Sequence, residues 1–599
     1  MDEDNRGLVQ YLSRMEKRAA FATFKTVWPY LWRYRRGFGL GMGALVLKDL
    51  LGASQPLIVR AGIDSLTRGF RIETVLEFAG LLVACSAAKG LFQYWMRVIL
   101  ISISRDIEYD LRNDLFAHLI TLDARFYSRY RTGDIMARAT NDLNAVRMML
   151  GPGVMYWCET LLTLILAVAV MLSVDWPLTL IALSPAPFIS AAVIVFGRRI
   201  HERFEEIQKM FSDISSRVQE NLSGMRVLRA YVQEAAEIAR FESLNLDYVR
   251  ENIKLARLSG LFGPLIQSLV GIGFLLVLLA GGERLLTHHI SLGSFVMFNT
   301  YISMLVWPMI AMGWVVNLLQ RGSASLARIN EMMREEPAIA PDSTPRILPE
   351  PVRGEIELRN VTVRYPSCDA LCNVSMHIAA GSTVAIVGHT GCGKSTLVNL
   401  IARLIDPTEG AIFVDGIDVR DLDPAALRRQ IGFVPQETFL FSATLAGNIA
   451  FGVERAPEAR VREAATIAGL GPDIAGFPAG YETMVGERGI TLSGGQKQRT
   501  AIARAILRDP RILILDDALA SVDTLTEDRI LSGLANVMRG RTTILISHRI
   551  STVRNADRIF VLDHGEIVEQ GSHEGLLSAG GYYADLYQKQ LLEEELEAI

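Results

Sequence analysis

The sequence of 599 residues has little net charge and few cysteines. Its formal net charge is -4, so it lacks the basic surface typical of nucleic-acid-binding proteins. Of the five scattered cysteines, only Cys368 and Cys372 have the spacing of a helical metal pair. No second pair or histidine cluster supports that site, so we expect reduced, unpaired thiols. The acidic start, Met1 to Asp4, lacks the features of a cleaved signal and predicts a cytoplasmic N-terminus.

Hydrophobic residues are abundant instead. They make up 50% of the chain, the mean hydropathy is +0.25, and charged residues account for only 21%. A chain of this length is expected to fold as about three or four compact units. The composition therefore favours a hydrophobic part joined to an ordinary soluble part.

Long apolar segments are typical of membrane-spanning helices, which need about 20 residues each. Six such segments lie near 37–59, 75–101, 154–174, 177–197, 260–281 and 295–318. Arg33, Arg35 and Arg36 precede the first segment and predict that this end is cytoplasmic. The polar stretches 102–153 and 198–259 then lie in the cytoplasm. Their apolar rhythm predicts that spans 2 to 5 continue there as helices.

Just before the first span, Trp28, Leu31 and Trp32 fall on one helical face beside basic residues. This pattern favours a short helix that lies in the membrane interface, with tryptophan at the depth of the lipid headgroups. The alternative is that the first span simply begins earlier.

Ionisable residues occur inside the predicted spans, where they are costly and normally face the helix bundle or a wet cavity. They are Lys48, Asp49, Lys89 and Glu159. Because Lys48 and Asp49 are adjacent, we expect them to point in different directions and not to pair. Two interpretations stay open: these residues line a transport pathway, or they snorkel or join helices structurally.

The soluble half contains a phosphate-binding loop. After a proline- and charge-rich stretch at 331–353, which predicts a linker, the pattern turns β-rich from Gly354. A strand at 382–387 and a helix at 395–404 flank the loop, which is the context that this motif requires. The loop consists of Gly388, His389, Thr390, Gly391, Cys392, Gly393, Lys394 and Ser395, and Thr396 follows it.

The chemistry of this loop fits ATP and Mg²⁺. Its glycines let backbone N–H groups surround the β-phosphate, and the helix N-terminus adds a favourable field. Lys394 is predicted to reach the β- and γ-phosphates, while the Ser395 hydroxyl and Asp516, at the end of a buried apolar run, bind Mg²⁺.

Three further residues are candidates for the same site. Tyr365 is predicted to stack on adenine, Gln436 to bind the metal and water, and His548 to contact the γ-phosphate. The alternatives are an ordinary exposed aromatic residue for Tyr365 and a structural histidine at a strand end for His548.

These residues, together with Leu492-Ser493-Gly494-Gly495-Gln496 between Gln436 and Asp516, resemble the nucleotide-binding domain of the ATP-binding cassette (ABC) transporters. The resemblance implies that Ser493 and the following amides face the γ-phosphate of ATP held by an opposite cassette. Two cassettes then enclose two ATP molecules. The nucleotide-binding residues implied in this way are Ser493, Gly494, Gly495, Gln496 and, at the position of the family's D-loop, Asp523.

Six spans before one cassette resemble a half-transporter of the exporter type. Residues 132–134 and 219–224 resemble the family's intracellular loops, which carry short coupling helices, and residues 485–489 resemble the loop that contacts them. The implied fold is an all-α six-helix transmembrane domain with long cytoplasmic helical extensions, plus an α/β P-loop ATPase domain with a helical subdomain.

The predicted organisation has five parts. They are a cytoplasmic N-terminus with an interfacial elbow helix (1–36), the transmembrane domain (37–330), a linker (331–353), the nucleotide-binding domain (354–588) and an acidic tail (589–599).

Asp517 departs from the family pattern, in which a Glu orients the attacking water. Its side chain is one methylene shorter, so the carboxylate falls short by roughly 1 Å, a misplacement that costs about a hundredfold in rate. An Asp here resembles one half of the heterodimeric exporters, in which one ATP site hydrolyses weakly. The partner is therefore expected to be a second ABC half-transporter, with a heterodimer favoured over a homodimer.

The sequence thus predicts an ATP-hydrolysing translocase with Asp517, His548 and Gln436 in catalytic roles. We expect export of amphipathic drug- or lipid-like molecules across a bacterial inner membrane, with both termini cytoplasmic. Membrane lipid is an expected partner and nucleic acid is not. The alternatives are a homodimeric lipid or peptide exporter, an importer on the same scaffold, and a cassette-gated channel or sensor regulator.

Overall fold

The computed structural model describes residues 26–340, 345–365, 368–522 and 524–597. They divide into two compact units. The helical unit comprises the described residues up to Ile120 together with Tyr130–Glu335, and the α/β unit comprises Thr121–Arg129 and the described residues from Glu336 onwards. Each unit has its own hydrophobic core and is described by itself.

Six helices of the described residues are long and apolar enough to cross a membrane. These spanning helices 1 to 6 are Arg35–Arg68, Ile72–Thr121, Thr132–Val174, Trp176–Ser223, Glu234–Leu286 and Leu292–Met333. Each predicted span lies within one of them, and spans 2 to 5 continue as helices well beyond 20 residues. A short helix, Met225–Ala230, joins spanning helices 4 and 5. The predicted all-α architecture of this half is confirmed.

A separate helix at 26–33 precedes spanning helix 1, with Tyr34 as the break between them. Trp28 and Trp32 are 58% and 55% exposed, and their ring centroids lie 6.0 Å apart. Arg33 and Tyr34 each donate a hydrogen bond of 3.0 Å to Asp110 on spanning helix 2. A distinct helix with an exposed tryptophan pair supports the interfacial interpretation, which stays a prediction. Residues 1–25 lie outside the described residues.

Spanning helices 3 and 6 approach each other closely at Gly322. A Cβ atom at Gly322 would lie 2.3 Å from the Cβ of Met149, which is fully buried. Because packed interiors transmit such overlaps, only glycine fits here without moving a helix.

We expect Gly322→Val to destabilise the helical unit by about 1–3 kcal/mol, the usual cost of overpacking. Thermal unfolding of the purified protein in detergent measures the effect as a lower Tm. Gly271→Val is the matched control, since a Cβ there meets nothing within 4 Å. Equal Tm losses in the two variants would show that helix propensity, rather than the close approach, is responsible.

The prediction that Lys48 and Asp49 do not pair is wrong. The Lys48 ammonium lies 2.8 Å from Oδ1 of Asp49 and 2.5 Å from Oε1 of Glu159. The four-carbon stem of lysine is flexible enough to bring its amine back over the neighbouring residue, although the two Cβ atoms diverge.

The α/β unit contains a six-stranded and a four-stranded sheet. The strands are β1 (Ile356–Tyr365), β2 (Cys368–Ile378), β3 (Thr383–Val387), β4 (Glu409–Val414), β5 (Ile417–Asp418), β6 (Ile431–Val434), β7 (Ile512–Asp516), β8 (Thr542–Ile546), β9 (Arg558–Asp563) and β10 (Glu566–Gly571). The larger sheet has the order β10-β9-β3-β8-β7-β6 and is parallel except for β10. The smaller sheet, β2-β1-β4-β5, is antiparallel.

Helices flank the two sheets. They are Ala124–Arg129, Lys394–Ile401, Pro424–Arg429, Leu445–Ile449, Glu458–Ile467, Gly471–Gly476, Gly494–Leu507, Thr524–Met538, Ile550–Val553, His573–Ala579 and Tyr582–Glu597. Those between β6 and β7 pack around a hydrophobic cluster that includes Ile449, Leu470 and Ile502. The predicted α/β architecture of this half is confirmed, and this group of helices forms its helical part.

The segment predicted to be a linker is partly folded. Spanning helix 6 extends to Met333, and Leu348 and Val352 are buried in the same hydrophobic cluster as Ile356. Arg346 also forms a bridge with Leu422. The core of the α/β unit thus begins before Gly354, because it includes the apolar side chains of this proline-rich segment.

Candidate nucleotide-binding site

The phosphate-binding loop connects β3 to the helix Lys394–Ile401. Gly388 and Gly393 have φ angles of 153° and 105°, in the region that favours glycine. A Cβ at Gly388 would lie 2.0 Å from the Leu562 carbonyl oxygen, and one at Gly393 would lie 2.4 Å from that of Ala370. Both approaches exclude any side chain, so these glycines fix the tight course of the loop.

Lys394 is held inside this loop. Its ammonium donates hydrogen bonds of 2.8 Å to the carbonyl oxygens of Gly388 and His389, and its side chain is buried. The Cys392 sulfur lies 3.7 Å from the same amine, and burial raises the pKa of its thiol. The loop thus carries a fixed positive charge, while Cys392 stays a neutral packing residue.

A cavity of about 400 Å³ opens beside the loop. It brings together eleven of the residues predicted from the sequence: Tyr365, Thr390, Gly391, Gly393, Lys394, Ser395, Thr396, Gln436, Asp516, Asp517 and His548. Three of the contributing strands, β6, β7 and β8, end at Val434, Asp516 and Ile546. Because the carboxyl ends of parallel strands meet at one sheet edge, residues far apart in the sequence share this cavity.

Two adjacent carboxylates, Asp516 and Asp517, lie on the cavity wall and are almost fully buried. Desolvation raises the pKa of Asp516, and a hydrogen bond with Ser395 opposes that rise. This carboxyl–hydroxyl pair is a set of hard oxygen donors of the kind that Mg²⁺ prefers.

The backbone of Asp517 is fixed on both sides. Its N–H donates a hydrogen bond of 2.8 Å to Ile546, its carbonyl accepts one of 3.4 Å from Gln498, and its φ angle is 49°. These two hydrogen bonds restrain the backbone of Asp517, so the shorter side chain has little means of recovering the reach of a Glu.

His548 follows β8 and is half-buried at the cavity wall, where its carbonyl accepts a hydrogen bond from the side chain of Gln590. Gln436 follows β6 and is exposed. Tyr365, at the end of β1, is 39% exposed, which leaves its ring available for stacking.

The Leu492–Gln496 segment begins a helix away from this cavity. Ser493 caps the helix Gly494–Leu507: its hydroxyl accepts from the Gln496 N–H at 3.3 Å, and its own N–H donates to the Gln496 side chain at 2.9 Å. Among the described residues, none from Ser493 to Gln496 lines the cavity, and Ser493 is exposed. This placement fits a segment that serves the ATP of another cassette. Asp523 lies outside the described residues.

Six residues that line the cavity were not predicted from the sequence: Cys368, Asp369, Ala370, Ile546, His564 and Gly565. His564 and Gly565 form the tight turn between β9 and β10, with φ angles of 45° and 83°. Two consecutive positive φ angles are typical of a hairpin turn ending in glycine. The His-Gly pair between two apolar runs was the signal available for that turn.

The short helix Ala124–Arg129, between spanning helices 2 and 3, belongs to the α/β unit. Phe126 is buried there, and Arg125 lies 3.4 Å from the carbonyl oxygen of Asp406. The segment between spanning helices 2 and 3 thus contributes a short helix to the α/β unit. Residues 132–134 of the predicted loop begin spanning helix 3.

The chain matches two families in tandem: the ABC transporter transmembrane region over residues 38–309 and the ABC transporter family over residues 371–520. It is 37% identical over 578 residues to the "Probable multidrug resistance ABC transporter ATP-binding/permease protein YheI" of Bacillus subtilis, covering 96% of this chain and 98% of the relative. The chain is an ABC transporter.

Further similarities agree with this ABC transporter assignment. The chain is 37% identical to the "Multidrug resistance-like ATP-binding protein MdlA" of Escherichia coli, covering 94% of this chain and 97% of the relative. The "ATP-dependent lipid A-core flippase" of Syntrophus aciditrophicus is 36% identical, with 93% of each chain covered. A solved bacterial Atm1-family ABC exporter with ATP bound has a TM-score of 0.77 and 30% identity, covering 93% and 98% of the two chains.

This ABC transporter is therefore an integral membrane protein of the exporter type that binds and hydrolyses ATP. The predicted family, fold class and enzyme class are confirmed.

Proposed function

We propose that this ABC transporter exports amphipathic, drug- or lipid-like molecules as one half of a heterodimer with a second half-transporter. The observation that carries the heterodimer is Asp517: a short carboxylate with a fixed backbone occupies an otherwise complete ATP cavity. The Ser493–Gln496 turn is intact and available for the partner's ATP. The relatives named for multidrug resistance and lipid A-core flipping support a cargo of this kind.

We assign the residues of the ATP site by their positions. Lys394 contacts the β- and γ-phosphates, and the other residues of the phosphate-binding loop contact the remaining phosphate oxygens. Tyr365 stacks on adenine, and His548 contacts the γ-phosphate. Asp517 is the residue that orients the attacking water, weakly because of its length.

Ser395, Asp516 and Gln436 hold Mg²⁺ in this proposal. All three residues line the cavity, and Mg²⁺ is commonly held by one carboxylate together with hydroxyl, water and phosphate oxygens. When bound, the ion neutralises charge that develops on the phosphate oxygens.

ATP drives the cycle by binding more tightly to the closed state of the two cassettes. Ser493 then meets the γ-phosphate held by the partner, and the partner's equivalent turn meets the γ-phosphate held by this chain. The helices Ala124–Arg129 and Met225–Ala230 are the proposed coupling helices that carry this closure to the spans, and hydrolysis at the partner's Glu-bearing site resets the cycle.

The membrane in this proposal is a bacterial inner membrane, with both termini in the cytoplasm. Arg33, Arg35 and Arg36 directly before spanning helix 1 support this orientation through the positive-inside rule. The relatives named above are all bacterial.

Transport into inside-out vesicles tests the proposed export. We expect vesicles that contain this chain and a related half-transporter with Glu at the position of Asp517 to accumulate a dansyl-labelled lysophospholipid when MgATP is added outside. Vesicles in which both halves lack the loop lysine provide the control. ATP-driven loss of lipid preloaded inside these vesicles would indicate an importer, and the absence of any ATP-dependent movement would favour a channel or sensor.

A further inference from the structure

The helical unit contains a cavity of about 230 Å³ that lies away from the ATP site. Spanning helices 1, 2, 3 and 6 contribute to its wall. The wall combines charged, polar and apolar residues: Lys48, Asp49, Gly52, Lys89, Gln93, Tyr156, Glu159, Thr160, Thr163, Met304, Trp307 and Pro308.

One end of this cavity has an excess of negative charge. The Lys48 ammonium lies 2.8 Å from Asp49 and 2.5 Å from Glu159, so one cation faces two carboxylates. The Oδ1 atom of Asp49 also accepts from the Thr163 hydroxyl at 3.4 Å, whereas its Oδ2 atom is buried without any hydrogen-bond partner. The side chain of Asp49 is only 3% exposed. A buried carboxylate oxygen without a donor is costly and marks a position where a cationic group would be stabilised.

Lys89 provides the complementary charge. Its amine lies 3.4 Å from the amide oxygen of Gln55, and no carboxylate of the described residues comes within 4.0 Å of it. A Cβ built on Gly52 would lie 3.5 Å from this amine. Gly52 follows Asp49 by three residues and therefore shares its helical face. The cavity thus presents an excess positive charge near the excess negative charge.

Apolar side chains complete the wall. Met304, Trp307 and Pro308 come from spanning helix 6 and offer hydrocarbon surface next to the charged groups. An amphiphile needs this combination, because its head requires polar partners while its tail requires apolar contact.

We propose that this cavity binds amphiphiles with a zwitterionic head, in which a primary ammonium and a phosphate or carboxylate belong to one molecule. The ammonium pairs with Asp49 and Glu159, and the anionic group pairs with Lys89. The tail lies against Met304 and Trp307. This inference rests on the proposed export function and names the class of its cargo.

Equilibrium binding to the full-length protein in uncharged dodecyl maltoside micelles tests the proposal. The probes carry identical short tails: dihexanoyl phosphatidylethanolamine, dihexanoyl phosphatidic acid, and the matching dihexanoyl ammoniopropane. The first is tritium-labelled and the others compete with it. We expect the zwitterion to bind about tenfold more tightly than either amphiphile whose head carries charge of one sign only, as one additional charge-assisted hydrogen bond predicts.

Two variants assign the charges. Asp49→Asn is expected to lower the affinity for the zwitterion about tenfold and to leave the affinity for phosphatidic acid unchanged. Lys89→Gln is expected to lower the affinity for the zwitterion similarly and to spare the ammonium amphiphile. Retained ATP binding and an unchanged Tm serve as folding controls.

Equal affinities of the wild-type protein for the three amphiphiles would overturn the proposal, and this comparison does not depend on any variant folding. The absence of binding by all three would also overturn it. Successful vesicle transport combined with either result would leave the proposed export intact, whereas failure of transport would count against the export function itself.

Discussion

Replacement of Asp517 by Glu is expected to raise the ATP turnover of the protein purified alone by about a hundredfold. The added methylene moves the carboxylate roughly 1 Å further toward the attacking water, from a backbone that hydrogen bonds to Ile546 and Gln498 already hold in place. Phosphate release by the protein in nanodiscs that hold two copies measures the effect. Each copy then supplies its Ser493–Gln496 turn to the ATP site of the other copy.

Asp517→Asn is the informative control for this experiment. If the native site hydrolyses weakly, the loss of this carboxylate changes the turnover of the wild-type protein little. Robust turnover of the wild-type protein alone that collapses in Asp517→Asn would contradict the heterodimer and favour a homodimer. An unchanged rate in Asp517→Glu would show that the length of this side chain does not limit the reaction.

Substitution of Lys394 by Met should lower the affinity for ATP by about a hundredfold, the usual result of removing one member of a buried charge pair. The lysine amine is confined within the loop by hydrogen bonds to Gly388 and His389. Among the described residues that line the cavity there is no other lysine or arginine, so no second cation can take its place. Equilibrium binding of a fluorescent ATP analogue provides the measurement.

Lys589→Met is the matched control, because it removes the same charge from the exposed face of the C-terminal helix. We expect it to bind ATP as the wild-type protein does. Unchanged affinity in Lys394→Met would refute the assignment of the cavity as the ATP site. Comparison of the Tm values of the two variants separates a loss of binding from a loss of folding.

The parts of this protein that sequence predicts well are those in which local pattern and chemistry agree. The six spans follow from unbroken apolar length, and the order of strand, glycine loop and helix around Lys394 follows from a steric requirement that the structure displays at Gly388 and Gly393. The residues at the ends of β6, β7 and β8 could be grouped because parallel strands share an edge.

The details that sequence misses depend on tertiary contact. To predict the Lys48–Asp49 pair, one would need the position of Glu159, which lies on another helix and contacts the same lysine amine. His564 and Gly565 reach the ATP cavity only because β9 lies beside β3. Strand β1 has a register shift between Leu358 and Val361 in its pairing with β2. The spacing of its apolar residues therefore departs from a strict period of two at that point, although the apolar residues on both sides of the shift lie in the same core.

In the proposed export cycle, the short helix Ala124–Arg129 passes movement of the cassette to two long helices. It is joined by only a few residues to spanning helices of 50 and 43 residues, which at 1.5 Å per residue are roughly 75 and 65 Å long. Rods of this length transmit a sideways push at one end as a tilt along their whole extent. In that proposed cycle, substitutions that loosen the packing of buried Phe126 would weaken the coupling while leaving ATP binding and the spanning helices unchanged.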